Sequence, residues 1–394
     1  MRAASAKHGR MMGVDLLIVD PEVTEESPAL RSLLLARSLL ERQGIRFRFL
    51  TQRCGLRGEN TWHRVPGGNL PSLLRIWSFL LYVHLWGWRY RASTVPTVVL
   101  ANDGMCLWAD LVIFHFFNPA WLRIERKVAR RQWRDHASRL RSWQGWLQDV
   151  IQVRFGRWKF LNAVSDSILN EIRPWADGRP GTLDVLPNAA PSARFSPSSR
   201  LLLRNESRGR FGYAPSESVF LFMSQGHHRR KGFWLAVEAV SIARKRGFSG
   251  ARFHVVGGHL ATLRSIEEML ERDYPNWRQW LHLAGMVSDP EIHFALADAL
   301  LFPSHFEAFS LVEIEAAAMG LPLLLTPHHG SEMILRDKVN GRLIPFDPEG
   351  IADVLVEVIE KGFPAVSPGL GRALSTQEFT ARLQSQVRTL IAKP

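Results

Sequence analysis

The chain reads as an α/β protein of two domains, each built on a parallel sheet with crossover helices. One observation behind this is a length of 394 residues with 46% hydrophobic composition, enough to bury sizeable cores and more than a single domain usually holds. Another is a strand, helix, strand order that opens the chain and begins again in its second half. Apolar runs of strand length, bounded by turn residues, alternate there with segments of helical period. A β-α-β order implies parallel strands, whose ligands are taken outside the carboxyl ends of the strands.

The N-terminal residues 1–10 are small and basic, but the apolar run at 14–19 is too short for the hydrophobic region of a signal peptide and stops at Asp20-Pro21. It is expected as the first strand. A helix over 28–43 follows, with Ser27 as N-cap, Pro28 at its first position and Gly44 as its stop. Residues 45–50 supply the next strand. The intervening loop, 20–28, is crowded with Glu22, Glu25 and Glu26, which would repel a diphosphate, orient a second substrate or simply be solvated.

Residues 70–90, LPSLLRIWSFLLYVHLWGWRY, form the most apolar stretch. Arg75, His84 and Gly87 interrupt it, so about twenty uninterrupted apolar residues for a membrane span are not available. It is expected as an amphipathic or buried helix whose Trp77, Trp86 and Trp88 suit either a lipid headgroup boundary or a core. Strands over 95–101 and 111–116 follow, and His115 falls at the end of the second. Residues 121–146 predict a basic helix in which Arg123, Arg126, Lys127, Arg130, Arg131 and Arg134 accompany Trp121 and Trp133. That mixture suits anionic lipid, or a solvated basic face with the tryptophans in the core.

A strand over 160–164, a helix over 166–172 capped by Ser165 and a strand over 183–186 complete the first series. The polar stretch 196–208 is expected as a linker. The second series runs through strands at 219–223, 252–256, 281–284, 299–302 and 341–345, with helices at 233–246, 351–360 and 375–391. No internal repeat is visible. The net charge of +13 favours anionic partners. Two cysteines, Cys54 and Cys106, imply no disulfide framework or Cys-based metal cluster, and a reducing compartment.

The chemistry concentrates in residues 302–330, FPSHFEAFSLVEIEAAAMGLPLLLTPHHG. An apolar strand ends in turn residues, and a helix follows with Ser310 as N-cap and Glu313 placed to close a capping box; Gly320 and Pro322 stop it. A strand feeding a helix N-terminus makes a natural phosphate site. Glu307 lies on the loop before it and Glu315 within the helix, two carboxylates able to accept hydrogen bonds from hydroxyl pairs. Upstream, the strand at 219–223 leads into SQGHHRRKG, which ends at Lys231-Gly232, a flexible ammonium able to follow charge onto a leaving phosphate.

The string from Glu307 to Glu315, continued through Gly320-Leu321-Pro322, resembles the E-x7-E signature of the family 4 (group 1) retaining glycosyltransferases. Lys231-Gly232 resembles that family's lysine–glycine motif, and residues 186–195 its segment between domains, with Ala189 in place of a glycine. Many members place an arginine where this chain has Gly226; Arg229 or Arg230 could supply that cation. The resemblance implies the GT-B fold: two Rossmann-like domains facing a central cleft, an acceptor-side domain at 1–195, a nucleotide-sugar donor domain at 196–374, and a C-terminal helix at 375–394 packing back on the first domain. It implies that Glu315 holds the ribose hydroxyls and that Glu307 faces the donor sugar. Lys231, Arg230 and the backbone N–H groups of Phe309, Ser310 and Leu311 would attend the diphosphate, and His115 would face the sugar.

The activity so implied is metal-independent transfer of a sugar, with retention, from a nucleotide-diphosphate sugar to a hydroxyl of a glycan or glycolipid, as in lipopolysaccharide or other cell-surface polysaccharide synthesis. No cofactor besides the nucleotide-sugar co-substrate is expected. The expected setting is the cytoplasm, peripheral at the inner face of the cell membrane in contact with anionic lipid. Nucleic acid is not expected as a partner, since no zinc-finger or RNP pattern is present. G-x-G-x-x-G, Walker A, H-E-x-x-H and Asp-x-Asp are all missing. Two other readings stay open, a non-catalytic scaffold of this fold binding a polyanion or anionic membrane, and an epimerase or hydrolase of nucleotide sugars.

Overall fold

A computed structural model describes residues 13–25, 27–59, 61–93, 95–128, 136–191, 194–364 and 375–392. The chain divides into two compact units, residues 1–187 with 376–394, and residues 188–375. The division thus falls at Pro187–Asn188, ahead of the sequence boundary after Phe195, because Asn188 and Phe195 pack with the second unit. Phe195, for one, is buried edge-on against Phe294.

In the first unit, β1 (Val14–Val19), β2 (Glu22–Val23), α1 (Pro28–Arg42), β3 (Ile45–Thr51), β4 (Arg53–Cys54) and β5 (Trp62–Arg64) lead into α2 (Ser72–Leu85) and a 3-10 turn, Gly87–Arg91. Then come β6 (Thr97–Asn102), β7 (Leu111–Phe114), α3 (Asn118–Val128), α4 (His136–Phe155), β8 (Phe160–Ala163), α5 (Asp166–Ala176) and β9 (Thr182–Val185). The main sheet is parallel in the order β5-β3-β1-β6-β7-β8-β9, with β2 and β4 pairing apart from it. Its centre, β1, is buried throughout, as expected of strands covered on both faces. The C-terminal helix, Thr376–Ala392, belongs to this unit. Its Gln386 amide exchanges two hydrogen bonds with buried Asn162 of β8, at 3.0 and 2.8 Å.

In the second unit, α6 (Pro197–Arg210), β10 (Ser218–Met223), α7 (Phe233–Lys245), β11 (Ala251–Val256), α8 (Leu260–Asp273), β12 (Leu281–Gly285), α9 (Pro290–Leu296), β13 (Ala299–Phe302), α10 (Leu311–Ala318), β14 (Leu323–Leu325), β15 (Gly341–Leu343) and α11 (Pro348–Lys361) follow one another. Its sheet is parallel in the order β12-β11-β10-β13-β14-β15. Both sheets start in the middle, run outward to one edge, return and run to the other. The point of reversal lies between β1 and β6 in one unit and between β10 and β13 in the other, where a doubly wound sheet opens its ligand crevice.

Two expectations need correction. The stretch 196–208 is no linker but the helix α6, capped by Ser196, whose Oγ accepts from Ser199 N at 3.1 Å. Its arginines satisfy groups that a helix end and a sheet edge leave open. Arg208 donates to the carbonyls of Leu296 and Glu217 and to Asp298, and Arg204 to Asp298 at 2.5 Å. Of the basic segment 121–146, α3 and α4 occupy the two ends, while Arg130, Arg131, Trp133 and Arg134 lie outside the described residues, as does Glu26 of the acidic loop. The strand expected at 111–116 ends at Phe114, since the N–H groups of His115 and Phe116 turn to the Asp103 carboxylate at 2.8 and 3.1 Å.

Candidate active site

The site of the second unit is made by the two loops that leave β10 and β13, the strands flanking the reversal point. The loop after β10, Ser224 to Gly232, turns back on itself. Lys231 N donates to His227 O at 3.0 Å, and Gly232 takes a left-handed φ of 74°. A Cβ at Gly232 would stand 1.9 Å from the Pro303 carbonyl oxygen, so glycine is what lets this loop close onto the end of β13. The contact is sealed by His305 N donating to Arg230 O at 2.8 Å and by the Arg230 guanidinium donating to Phe306 O at 2.9 Å.

Closure brings the expected residues together. Lys231 Nζ lies 3.1 Å from Glu307 Oε1 and over the Phe302 ring at 4.8 Å, and Arg230 Nη1 is 3.8 Å from the same carboxylate oxygen. Glu307 is buried. Burial alone would raise its carboxyl, but Lys231 and Arg230 outweigh that and hold it below the usual carboxylate range. The same cations, after burial, hold His227 below its ordinary value. The site therefore presents an ionised carboxylate and two cations at the carboxyl edge of a parallel sheet.

Beyond Glu307 the chain enters α10, with Ser310 at the N-cap position. Phe309, Ser310 and Glu315 are buried, and Leu311 half-buried. The first N–H groups of a helix have no partner within it, so the backbone of 309–311 offers donors to an anion. Two contacts fix this turn. Asn188 Nδ2 donates to Phe309 O at 3.2 Å, and Gly330, at φ 86°, lies so close that a Cβ would stand 2.6 Å from Ala308 O. Asn188 thereby gives the Pro187-Asn188 segment a role that the replacement at Ala189 leaves intact, since Ala189 is simply buried.

The capping box expected here is absent. The Ser310 side chain makes no cap bond, and Glu313 turns inward, its Oε1 meeting His328 Nε2 at 2.8 Å. Burial raises the Glu313 carboxyl against the pull of His328. Burial opposes a charge on His328, but Glu313 overrides it and the imidazole is raised. Both shifts keep a proton on the pair. From His328 the hydrogen bonds continue through Thr326, which donates to Ser304 O at 2.6 Å, and Ser304, whose hydroxyl donates to Glu307 Oε1 at 3.2 Å. Sequence reasoning missed this support of Glu307. Its only trace was a buried-type strand running into Thr326 and His328 within the stretch already singled out.

His115 belongs to the first unit, at the exit of β7 and half-buried. The reversal point of that unit carries Asp20 after β1 and Asp103 after β6. Asn102 Nδ2 donates to Asp20 Oδ2 at 3.0 Å.

This geometry has counterparts among known proteins. Residues 217–361 match the family described as glycosyl transferases group 1. The D-inositol 3-phosphate glycosyltransferase of Actinosynnema mirum is 28% identical over 204 residues, 50% of this chain and 46% of that protein. The chain thus spans about half the length of this curated relative or less. Among solved structures, WaaG, a glycosyltransferase involved in lipopolysaccharide biosynthesis, superimposes with a TM-score of 0.69 at 20% identity, covering 93% of this chain and 94% of that one. Anabaena HepE in complex with UDP and glucose gives 0.68 at 15% identity over 95% and 99%. The fold is GT-B. The matched segment, residues 217–361, is similar to the group 1 glycosyltransferases.

Proposed function

We propose that the chain transfers a sugar from a nucleotide-diphosphate sugar to a hydroxyl of a glycan or glycolipid, with retention and without a metal or further cofactor. The observation that carries this reading is the convergence of Lys231, Arg230 and Glu307 beside the N-terminus of α10. As the bond from the anomeric carbon to the diphosphate breaks, its electron pair leaves with the phosphate oxygen. Lys231 and the N–H groups of 309–311 meet that charge, and removing one such donor typically costs about 3 kcal/mol in the barrier. Glu307, kept ionised, accepts hydrogen bonds from donor-sugar hydroxyls, and Glu315 from the ribose. The new bond forms on the face the diphosphate leaves, and the acceptor proton passes to the departing phosphate.

The likeness to Anabaena HepE, whose structure is a complex with UDP and glucose, supports a uridine nucleotide as the first donor to try. The likeness to WaaG, together with the basic and Trp-rich first unit, supports an acceptor in lipopolysaccharide or another cell-surface polysaccharide. The chain would work in the cytoplasm, peripheral at the inner face of the cell membrane on anionic lipid. Calorimetry with UDP, GDP and ADP on the wild type, Glu315→Ala and Lys231→Ala tests the donor site. Preference for one nucleotide, weakened by both substitutions, is expected. Absence of binding to all three would leave a scaffold without donor chemistry.

A further inference from the structure

Helix α2 is turned inside out. Three of its polar side chains face the protein: Ser78 and Gln52 share a hydrogen bond at 2.9 Å, Arg75 pairs with Glu22 at 3.0 Å, and His84 Nε2 accepts from Leu107 N at 3.1 Å. Phe79 and Val83 are the buried residues of the helix, and Trp108 Nε1 donates to the Val83 carbonyl at 3.2 Å. The apolar side faces outward. Leu74, Trp77, Leu81, Leu85 and Trp88 are 58%, 50%, 60%, 51% and 57% exposed. Their spacing sets them on one side of the helix and its continuing turn. A soluble helix normally shows the opposite arrangement, and a contiguous exposed apolar stripe marks an interaction surface.

Charge identifies the occupant. Between Glu59 and Asp103 the chain contains no carboxylate, whereas Arg64, Arg75, Arg89 and Arg91 fall in that interval. Arg89 and Arg91 are exposed at the C-terminal end of the stripe, Arg89 lying over the Trp88 ring at 5.9 Å. At the other end Arg53 is exposed, its Nε bonded to Gly68 O. An apolar stripe carrying tryptophans and rimmed by arginines, with the neighbouring acids Glu22 and Asp110 paired to Arg75 and Arg91, is complementary to the headgroup and acyl boundary of an anionic bilayer. The described helices include none long and apolar enough to cross a membrane, and fourteen residues suit a helix lying in the surface.

We propose that α2 and the turn Gly87–Arg91 form the surface by which this chain lies on an anionic membrane, with Trp77 and Leu81 at its inserted centre. This deepens the membrane contact of the proposed function by naming where it is made, and moves it from the basic segment at 121–146 to α2. The test is flotation of the full chain with vesicles of phosphatidylglycerol and phosphatidylcholine at low salt. It compares the wild type, Trp77→Glu with Leu81→Glu, and a control, Leu201→Glu with Leu202→Glu, which changes an equally exposed apolar pair on α6. The wild type and control are expected to float, and the α2 variant to lose tenfold or more of its bound fraction while keeping its thermal transition and nucleotide affinity. Equal flotation of all three would overturn the assignment to α2 while keeping membrane contact. Failure of the wild type to float would overturn both, whatever the nucleotide calorimetry gives. A wild-type dimer in sedimentation that the α2 variant dissolves, without flotation, would instead assign the stripe to a second copy.

Discussion

The two units share a strand order at their cores yet hold several of their acids in different ways. In the second unit acids meet cations. Asp298 is held by Arg204 and Arg208, Glu307 by Lys231 and Arg230, and Glu313 by His328. In the first, buried Asp15 likewise pairs with Arg46 and Arg48, but buried Asp20 and Asp149 and half-buried Asp103 take amide N–H partners instead. Burial pushes Asp20 up to about 6 and Asp103 up to about 7, and raises Asp149 well above the ordinary carboxyl, Asp103 adding to that rise. The same reversal point therefore offers fixed opposite charges in one unit and carboxyls that hold protons in the other. A site built to attend a diphosphate needs its charges fixed in advance, whereas one facing neutral hydroxyls does not.

The largest effect expected from breaking this contrast is structural. Arg208 is buried, with donors on Leu296 O, Ala214 O, Glu217 O and Asp298. Truncation to alanine leaves Asp298 to Arg204 but takes the donor from the carbonyls of Leu296, Ala214 and Glu217, and buried polar groups left without a partner cost about 1 to 3 kcal/mol each. Denaturant unfolding of Arg208→Ala is expected to show that loss. A change under about 1 kcal/mol would mean that α6 is the solvated connector its polar sequence suggested. Next comes Lys231→Ala, which should reduce turnover by about a hundredfold or more while leaving the thermal transition nearly unchanged. Glu307→Gln keeps the Ser304 hydrogen bond but loses the charge. It should weaken sugar transfer more than nucleotide binding, separating a sugar-facing group from a phosphate-facing one.

The contrast also predicts opposite responses to pH. Asp20 and Asp103 titrate near 6 and 7 when folded and at an ordinary 3.8 when unfolded. The folded first unit therefore retains protons that the unfolded chain has released, and it loses stability as pH rises from about 4 to 7. In the second unit Tyr213, His254 and His293 form a buried chain with contacts of 2.8 Å. Burial holds His254 well below 6.5 and His293 down to about 4. The unfolded chain binds protons there first, so the second unit loses stability as pH falls from about 6.5 to 4. Hydrogen exchange resolved by segment should show the two units moving in opposite directions across that window. Asp103→Asn sharpens the test. Asparagine tolerates the positive φ of 49° and can still accept both N–H groups. A gain on the order of 2 kcal/mol or more at pH 8 that shrinks as the pH falls and disappears below about pH 4 is expected.

These contrasts were only partly legible in the sequence. The buried strands announce themselves as continuous apolar runs, and Ala299–Phe302 falls where its run predicts it. The proximity of Lys231 and Glu307 was legible because each lies on a short loop between strand and helix, which gives it little freedom of place. What hid the rest was partnership across the chain. Polarity marks 196–208 as linker until Asp298 and the carbonyls of α9 arrive from about ninety residues away. Glu313 fits a capping box until His328 takes it. The face of α2 cannot be read from its own residues, because Ser78, Arg75 and His84 are drawn inward only by Gln52, Glu22 and Leu107.

The smallest predicted effect compares two serines that look alike in sequence. Ser165 begins α5 of the first unit and its Oγ accepts from Ile168 N at 3.4 Å, a working cap. Ser310 begins α10 of the second and caps nothing with its side chain. Ser165→Ala should cost about 1 kcal/mol of stability, the usual value of an N-cap, with no effect on nucleotide affinity. Ser310→Ala should change stability by only a few tenths of that amount, while weakening nucleotide binding if its hydroxyl joins the N–H groups of this turn on the diphosphate. Parallel thermal scans and calorimetry measure both quantities. Equal stability losses would show that Ser310 caps its helix in solution, and the phosphate-facing role of this turn would then rest on its backbone alone.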